Sequence, residues 1–228
     1  MITSSQFWHA LWVSLAVSGL ATVISALIGI PLGVVLSEFD FRGKGAALTV
    51  VHTFMALPPV VVGTFTFLLI WRSGPLGKIG IIYTFSAMVL VQVILAAPIV
   101  AGFTHASLQV VDPRLGLAAR SLGANRMQSV LVKMREAFPG IVAAVIAGFG
   151  RVIAEVGAVT IVGGAISSQT DTLTTLVVKL TRQGQPQLAL LVGAVLLFIA
   201  LVVNIFLTRL QTDKETREMR KRVTGYVS

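Results

Sequence analysis

The chain contains no cysteine, so disulfides and thiolate metal sites are excluded. Only 12% of its 228 residues are charged while 55% are hydrophobic, a balance that no soluble domain of this size requires. The mean hydropathy of +0.89 agrees, so most of the chain must lie in lipid. Aromatics make up 7% and do not interleave with the basic residues as base-stacking platforms would; the net charge of +9 therefore does not read as nucleic-acid binding. His9, His52 and His105 stand apart with no carboxylates spaced around them, which argues against a metal site. No Gly-rich loop ends in Lys-Ser or Lys-Thr, so this chain is not expected to bind ATP or any other cofactor itself. No Ser-His-Asp or paired-carboxylate arrangement suggests an enzyme. No internal repeat marks the two-halves construction of many secondary transporters.

What is present is a set of five apolar runs, near residues 8–36, 50–71, 79–103, 140–162 and 188–207. Each reaches the roughly twenty residues a bilayer requires. The runs are continuous rather than alternating, which predicts helices and not a β-barrel. The first is too long for a signal-peptide core and has no basic segment before it, so it is expected to be a retained helix. Pro31, Pro58, Pro59 and Pro98 fall within or beside these runs and predict kinks. Trp8, Trp12 and Trp71 are expected to anchor the outer interface.

Basic residues orient the spans. If the N-terminus is outside, the inner segments 37–49, 108–139 and 208–228 hold thirteen of the eighteen Lys and Arg. These are Arg42, Lys44, Arg114, Arg120, Arg126, Lys133, Arg135, Arg209, Lys214, Arg217, Arg220, Lys221 and Arg222. The outer segments hold Arg72, Lys78, Lys179 and Arg182, and Arg151 lies within a span. That bias predicts the N-terminus outside and the C-terminus inside. Residues 172–181 have the polar-apolar mixture of a short helix lying at the outer surface. The alternating charges of the tail predict a solvated helix in contact with anionic lipid.

The inner segment around residues 112–140 is far longer than a connection needs. Asp112 before Pro113 predicts an N-cap and helix start, and Asn125 predicts the cap of a second helix over about 126–137. Gly123 between them permits a left-handed backbone. Pro139 and Gly140 break the chain before the fourth span. Two short helices meeting at a small-residue corner form a shape that fits a groove of a soluble partner; the plainer alternative is a basic loop that serves topology.

Leu117-Ala118-Ala119-Arg120-Ser121-Leu122-Gly123 resembles the signature of permease subunits of ATP-binding-cassette (ABC) importers: Glu-Ala-Ala, three residues, then Gly. Leu117 stands where that signature has Glu, and its Ile-x-Leu-Pro ending is absent. The Arg135-Glu136-Ala137 segment and the run from Gly148 through Ala158 to Val162-Gly163-Gly164 resemble the tungstate and molybdate branch. The resemblance implies a type I importer permease, all-α with five transmembrane helices in one domain over residues 1–228, in a bacterial or archaeal plasma membrane. It implies a second copy of the chain, a pair of ATPase subunits that bind the ATP, and an extracytoplasmic oxyanion-binding protein. It also implies that Ala118, Ala119, Arg120, Gly123 and Ala124 form the coupling contact with the ATPase.

Arg151 and Glu155 lie four apart in the fourth run, which predicts one helical face. Each would cost roughly 2.5–3.5 kcal/mol against lipid at the bilayer centre, so both should face protein. Either they neutralise one another as a structural pair, or Arg151 lies beside a pathway and lowers the barrier for a dianion while Glu155 prevents overly tight binding. Gly148, Gly150, Gly157, Gly163 and Gly164 give that run the small face that close helix packing needs. By resemblance, Pro58, Pro59, Arg151, Glu155, Gly157, Gly163 and Gly164 would line the pathway or its gate. The expected cargo is tungstate, with molybdate or sulfate as alternatives. A carrier or channel driven by an ion gradient is the alternative of another class.

Overall fold

The computed structural model describes residues 4–225, with side chains described as far as Arg209 apart from Leu207. Among the described residues every regular element is helical.

Helix α1 (Ser4–Glu38) is continuous through Pro31 and spans about 52 Å. Its buried face is a row of small residues, including Ser14, Ser18, Ala21, Ser25, Gly29 and Gly33. A Cβ on Gly29 would fall 2.8 Å from the Ala97 carbonyl oxygen, and one on Gly33 would fall 2.6 Å from that of Ala101. Close approach of two backbones is how helices associate in lipid, where apolar side chains gain nothing by leaving the acyl chains. The partner is α4 (Phe85–Gln109), which is continuous through Pro98. The apolar run predicted a start near residue 79. Instead, a short 3-10 turn at Gly77–Ile79 leads into Gly80 at φ 69° and Tyr83 at φ 59°, and the helix begins only after Thr84 accepts the Ala87 amide hydrogen. Left-handed residues end regular helix whatever their hydropathy.

The second span is not one helix. Helix α2 (Lys44–Ala56) and helix α3 (Pro59–Ile70) are set 103° apart. Pro59 holds Pro58 in extended backbone, and neither proline has an N–H for the preceding turn. The expected kink is therefore a full break. Next come α5 (Pro113–Ser121), α6 (Arg126–Glu136) and α7 (Phe138–Ile153), with α6 and α7 meeting at 69°. The fourth span is broken too: α7 ends at Ile153, and a separate α8 (Gly157–Gly163) follows.

Helix α9 (Leu173–Arg182) is the short helix expected from the mixed composition of residues 172–181, with its apolar face turned inward. Leu173, Leu176 and Leu180 are buried with Ala10 of α1 and with Ala189 and Val192 of the last helix. That helix, α10 (Pro186–Gly225), covers the fifth run and continues through the tail as helix. The expected lipid contact of the tail's charges lies outside the described side chains. Among the described residues three helices are long and apolar enough to cross a bilayer, and each bent pair adds one more if it counts as a single span. The main core joins Val17 and Ala21 of α1, Val62 of α3, Val91 and Leu95 of α4, and Ala158 and Val162 of α8.

Candidate functional site: a docking elbow and two facing helix breaks

The elbow follows from local rules. The Asp112 carboxylate accepts the Arg114 amide hydrogen at 2.9 Å, and Pro113 opens α5. The helix closes at Gly123, whose φ is 90°; the amides of Gly123 and Ala124 donate back to the carbonyls of Arg120 and Ala119. A Cβ at Gly123 would meet nothing within 4 Å, so backbone angle rather than space selects glycine here. Asn125 then caps α6 in a reciprocal capping box with Gln128.

The two helices are locked to one another where Ser129 Oγ donates to the Gly116 carbonyl at 3.0 Å. Val130, Leu115 and Met134 bury against Val34, Leu108, Val111, Ala137 and Ile141, which seats the elbow on the ends of α1, α4 and α7. Its outer side carries apolar side chains in the open: Leu117 is 63% exposed and Leu122 90% exposed. Ala118, Arg120 and Gly123 are exposed beside them, and Ala119 and Ala124 are half-buried. The corner has small residues at its tip and bare leucines around it, an apolar patch left open on this subunit.

The second region lies where α7 gives way to α8. Arg151 sits in the last turn of α7, and its Nη1 lies 3.0 Å from Glu155 Oε2. The two were expected on one helical face. Instead the pair spans the break, because the helix ends before Glu155. The other carboxylate oxygen, Oε1, accepts the Ala158 amide hydrogen at 3.0 Å and so ties Glu155 to the start of α8. Backbone groups freed by the break find side-chain partners. Gln92 Nε2 of α4 donates to the Val152 carbonyl at 3.1 Å, and Thr174 Oγ1 of α9 donates to the Glu155 carbonyl at 2.9 Å. An interrupted helix survives at membrane depth only when its orphan groups are satisfied within the protein. Only 4% of the Glu155 side chain is exposed, against 30% for Arg151, so the guanidinium alone looks outward.

The break at Pro58-Pro59 faces this one. A Cβ on Gly157 would fall 2.8 Å from Val60 Cγ2, and one on Gly63 would fall 2.6 Å from the Ala158 Cα. The starts of α3 and α8 therefore touch backbone to backbone. Gly157 is brought against Val60, the residue after the Pro58-Pro59 pair, and Glu155 joins Arg151 to the start of α8. Gly163 and Gly164 lie elsewhere; they close the far end of α8, where Gly163 packs on Met88, its carbonyl accepts from Thr170 Oγ1, and Gly164 turns at φ 74° beside Tyr83. Reading the sequence for motifs passed over Gln92 and Thr174. Gln92 carried a signal, as the one amide in the apolar stretch 85–103.

The family model for binding-protein-dependent transport system inner membrane components matches residues 29–215. The chain belongs to that family. It is a multi-pass inner-membrane permease. A probable anion ABC transporter permease protein from Haloferax volcanii is 39% identical over 215 residues, covering 92% of this chain and 93% of that protein. The tungstate uptake system permease protein TupB of Peptoclostridium acidaminophilum is 33% identical over 208 residues, covering 91% of each. Among solved structures, a bacterial ABC transporter that imports the acidic polysaccharide alginate matches with a TM-score of 0.76, 92% coverage of this chain and 80% of that one. At 21% identity that likeness speaks for the fold. Its relatives in this family are transporter permease subunits, which are not themselves enzymes.

Proposed function

We propose that this chain is the transmembrane subunit of an ATP-driven importer for a tetrahedral oxyanion, with tungstate as the first candidate and molybdate or sulfate next. Two copies would enclose one pathway. A separate ATPase subunit would seat on each elbow, and a soluble extracytoplasmic protein would deliver the anion. The observation that carries this reading is the meeting of two interrupted helices beside the Arg151–Glu155 pair, in which a half-buried cation has, among the described residues, one acidic partner that also holds the start of α8. Permeases named for tungstate and for anions, similar over nearly the whole chain, support the cargo class.

Five spans with the N-terminus outside fit the same reading if each broken run counts as one. Segments assigned to the inside meet at one end, where Glu38 contacts Lys133 and Ser37 contacts Gln109. The outer ends of the third and fourth runs meet at the other, where the Tyr83 amide donates to the Val162 carbonyl and Gly164 packs beside Tyr83. The exposed Val61, Phe65 and Leu68 of α3 leave an apolar face for lipid or for the second copy. ATP binding would draw the ATPase pair together, carry the elbows with it and separate the facing breaks; hydrolysis would reset them.

Co-purification from the native membrane tests this. An ATPase should accompany the chain, and a tungstate-loaded delivery protein should raise its hydrolysis rate above that of the empty one. Uptake by this chain alone, driven by an ion gradient, would refute the proposal. Exchanging tungstate for molybdate or sulfate in the same assay ranks the cargo.

A further inference from the structure

The elbow is held to more than the helix that follows it. Lys133 Nζ lies 2.8 Å from Glu38 Oε2, joining α6 to the last residue of α1 across 95 positions of sequence. The two side chains are 21% and 10% exposed, so this is a sheltered pair rather than a solvated one. Two turns earlier on α6, Arg126 Nη2 donates to the Glu38 carbonyl at 3.2 Å, and its guanidinium lies 4.3 Å from the centre of the Phe39 ring. Residues seven apart share a helical face, so α6 is pinned at both ends of that face to a single point. That point continues into α2: Lys44 Nζ reaches both the Ser37 carbonyl and Asp40. Helix α2 then runs to the Pro58-Pro59 break.

We propose that Glu38 and Lys133 form a transmission strut, through which motion of the elbow reaches the α2–α3 side of the gate while the chain itself carries it to the α7–α8 side. The inference rests on the importer reading above. Covalent continuity from α6 into α7 moves Arg151 and Glu155 directly. Nothing covalent joins the elbow to α2 over a comparable distance, and the Glu38 contacts supply that link. Both routes end where Val60 meets Gly157 and Gly63 meets Ala158. How far two facing breaks part depends on how the elbow's motion is divided between the two routes, and the Glu38 contacts set the share that reaches α2–α3. The positioning residues are therefore Glu38 and Lys133, with Arg126 as the second pin.

The absence of cysteine makes the test clean. The complex with its ATPase and delivery protein is reconstituted in vesicles, and oxyanion uptake and ATP hydrolysis are measured together. Glu38→Gln and Lys133→Gln should assemble normally yet lower the uptake per ATP hydrolysed by roughly fivefold, the low end of ordinary coupling between sites. The exchanged pair Glu38→Lys with Lys133→Glu should restore it. As a second measurement, Glu38→Cys with Lys133→Cys should be uncoupled when reduced and recoupled by a short reversible thiol-bridging reagent. Single variants that keep the wild-type ratio, or a bridged pair that stays uncoupled, would overturn the strut. If the wild-type complex shows no ATP-dependent uptake, the importer reading fails instead, and the two failures are told apart by that control.

Discussion

The carboxylate of Glu155 bonds Arg151 at 3.0 Å although the helix that carries Arg151 has already ended at Ile153. One side chain thus balances the cation and, through the Ala158 amide, sets where α8 begins. These duties separate by substitution. Glu155→Gln keeps an oxygen for the Ala158 amide and removes the charge, so Arg151 is left as a free cation. We expect tighter oxyanion binding with slower release, read as a lower KM and a lower maximal uptake rate. Glu155→Leu removes the cap as well and should destabilise the subunit by about 3 kcal/mol, near the low end for breaking a buried pair because Arg151 stays partly exposed. Arg151→Gln should lower flux while assembly, followed by size-exclusion chromatography in detergent, is unchanged. A loss of assembly in that variant would make the pair a structural one.

Gly123 separates docking from folding. Its φ of 90° means that Ala there costs about 1 kcal/mol of backbone strain but meets no neighbour. Gly123→Ala should keep both assembly and ATP-coupled uptake. Gly123→Trp adds bulk at the exposed tip and should abolish coupling while the subunit still inserts. Uptake at the normal rate in the Trp variant would show that the elbow tip is not the contact.

The elbow was legible in the sequence because short-range chemistry builds it. Asp112 before Pro113, Asn125 three residues before Gln128, and a lone Gly123 each act within one turn of chain. The break after Ile153 was not. Hydropathy runs straight through residues 140–162, and the partners that let the helix stop there, Gln92 and Thr174, come from α4 and α9. The start of α4 failed for a related reason. Ile79, Ile81 and Ile82 read as span, yet Gly80 and Tyr83 turn left-handed beneath them. The Pro58-Pro59 pair announced a bend but not its size of 103°, which depends on the packing of α3 against α8.

That packing is itself testable. A Cβ at Gly63 would sit 2.6 Å from the Ala158 Cα, too close for any real contact, and backbone cannot swing aside as a side chain can. Gly63→Ala should therefore force α3 from α8 and cost about 1–3 kcal/mol, as overpacking usually does. Gly19→Ala in α1 is the control. Nothing lies within 4 Å of its Cβ, so helix propensity alone applies and stability should rise by up to about 1 kcal/mol. Thermal unfolding in detergent compares the two. Equal midpoints would mean that the close approach of α3 and α8 is not maintained in the membrane.

Orientation can be read by labelling, since every introduced cysteine is unique. Leu76→Cys lies between the two glycines of the turn after α3, and Gly184→Cys lies after α9. Both belong to segments whose basic residues are few, so a membrane-impermeant thiol reagent added outside intact cells should modify them. Leu122→Cys at the elbow is 90% exposed and should react only after the membrane is opened. Binding of the ATPase should then protect it, while the two outer positions keep their rates. Labelling of Leu122→Cys from outside would invert the topology expected from the thirteen cations of segments 37–49, 108–139 and 208–228, and with it the side on which any nucleotide-driven partner must act.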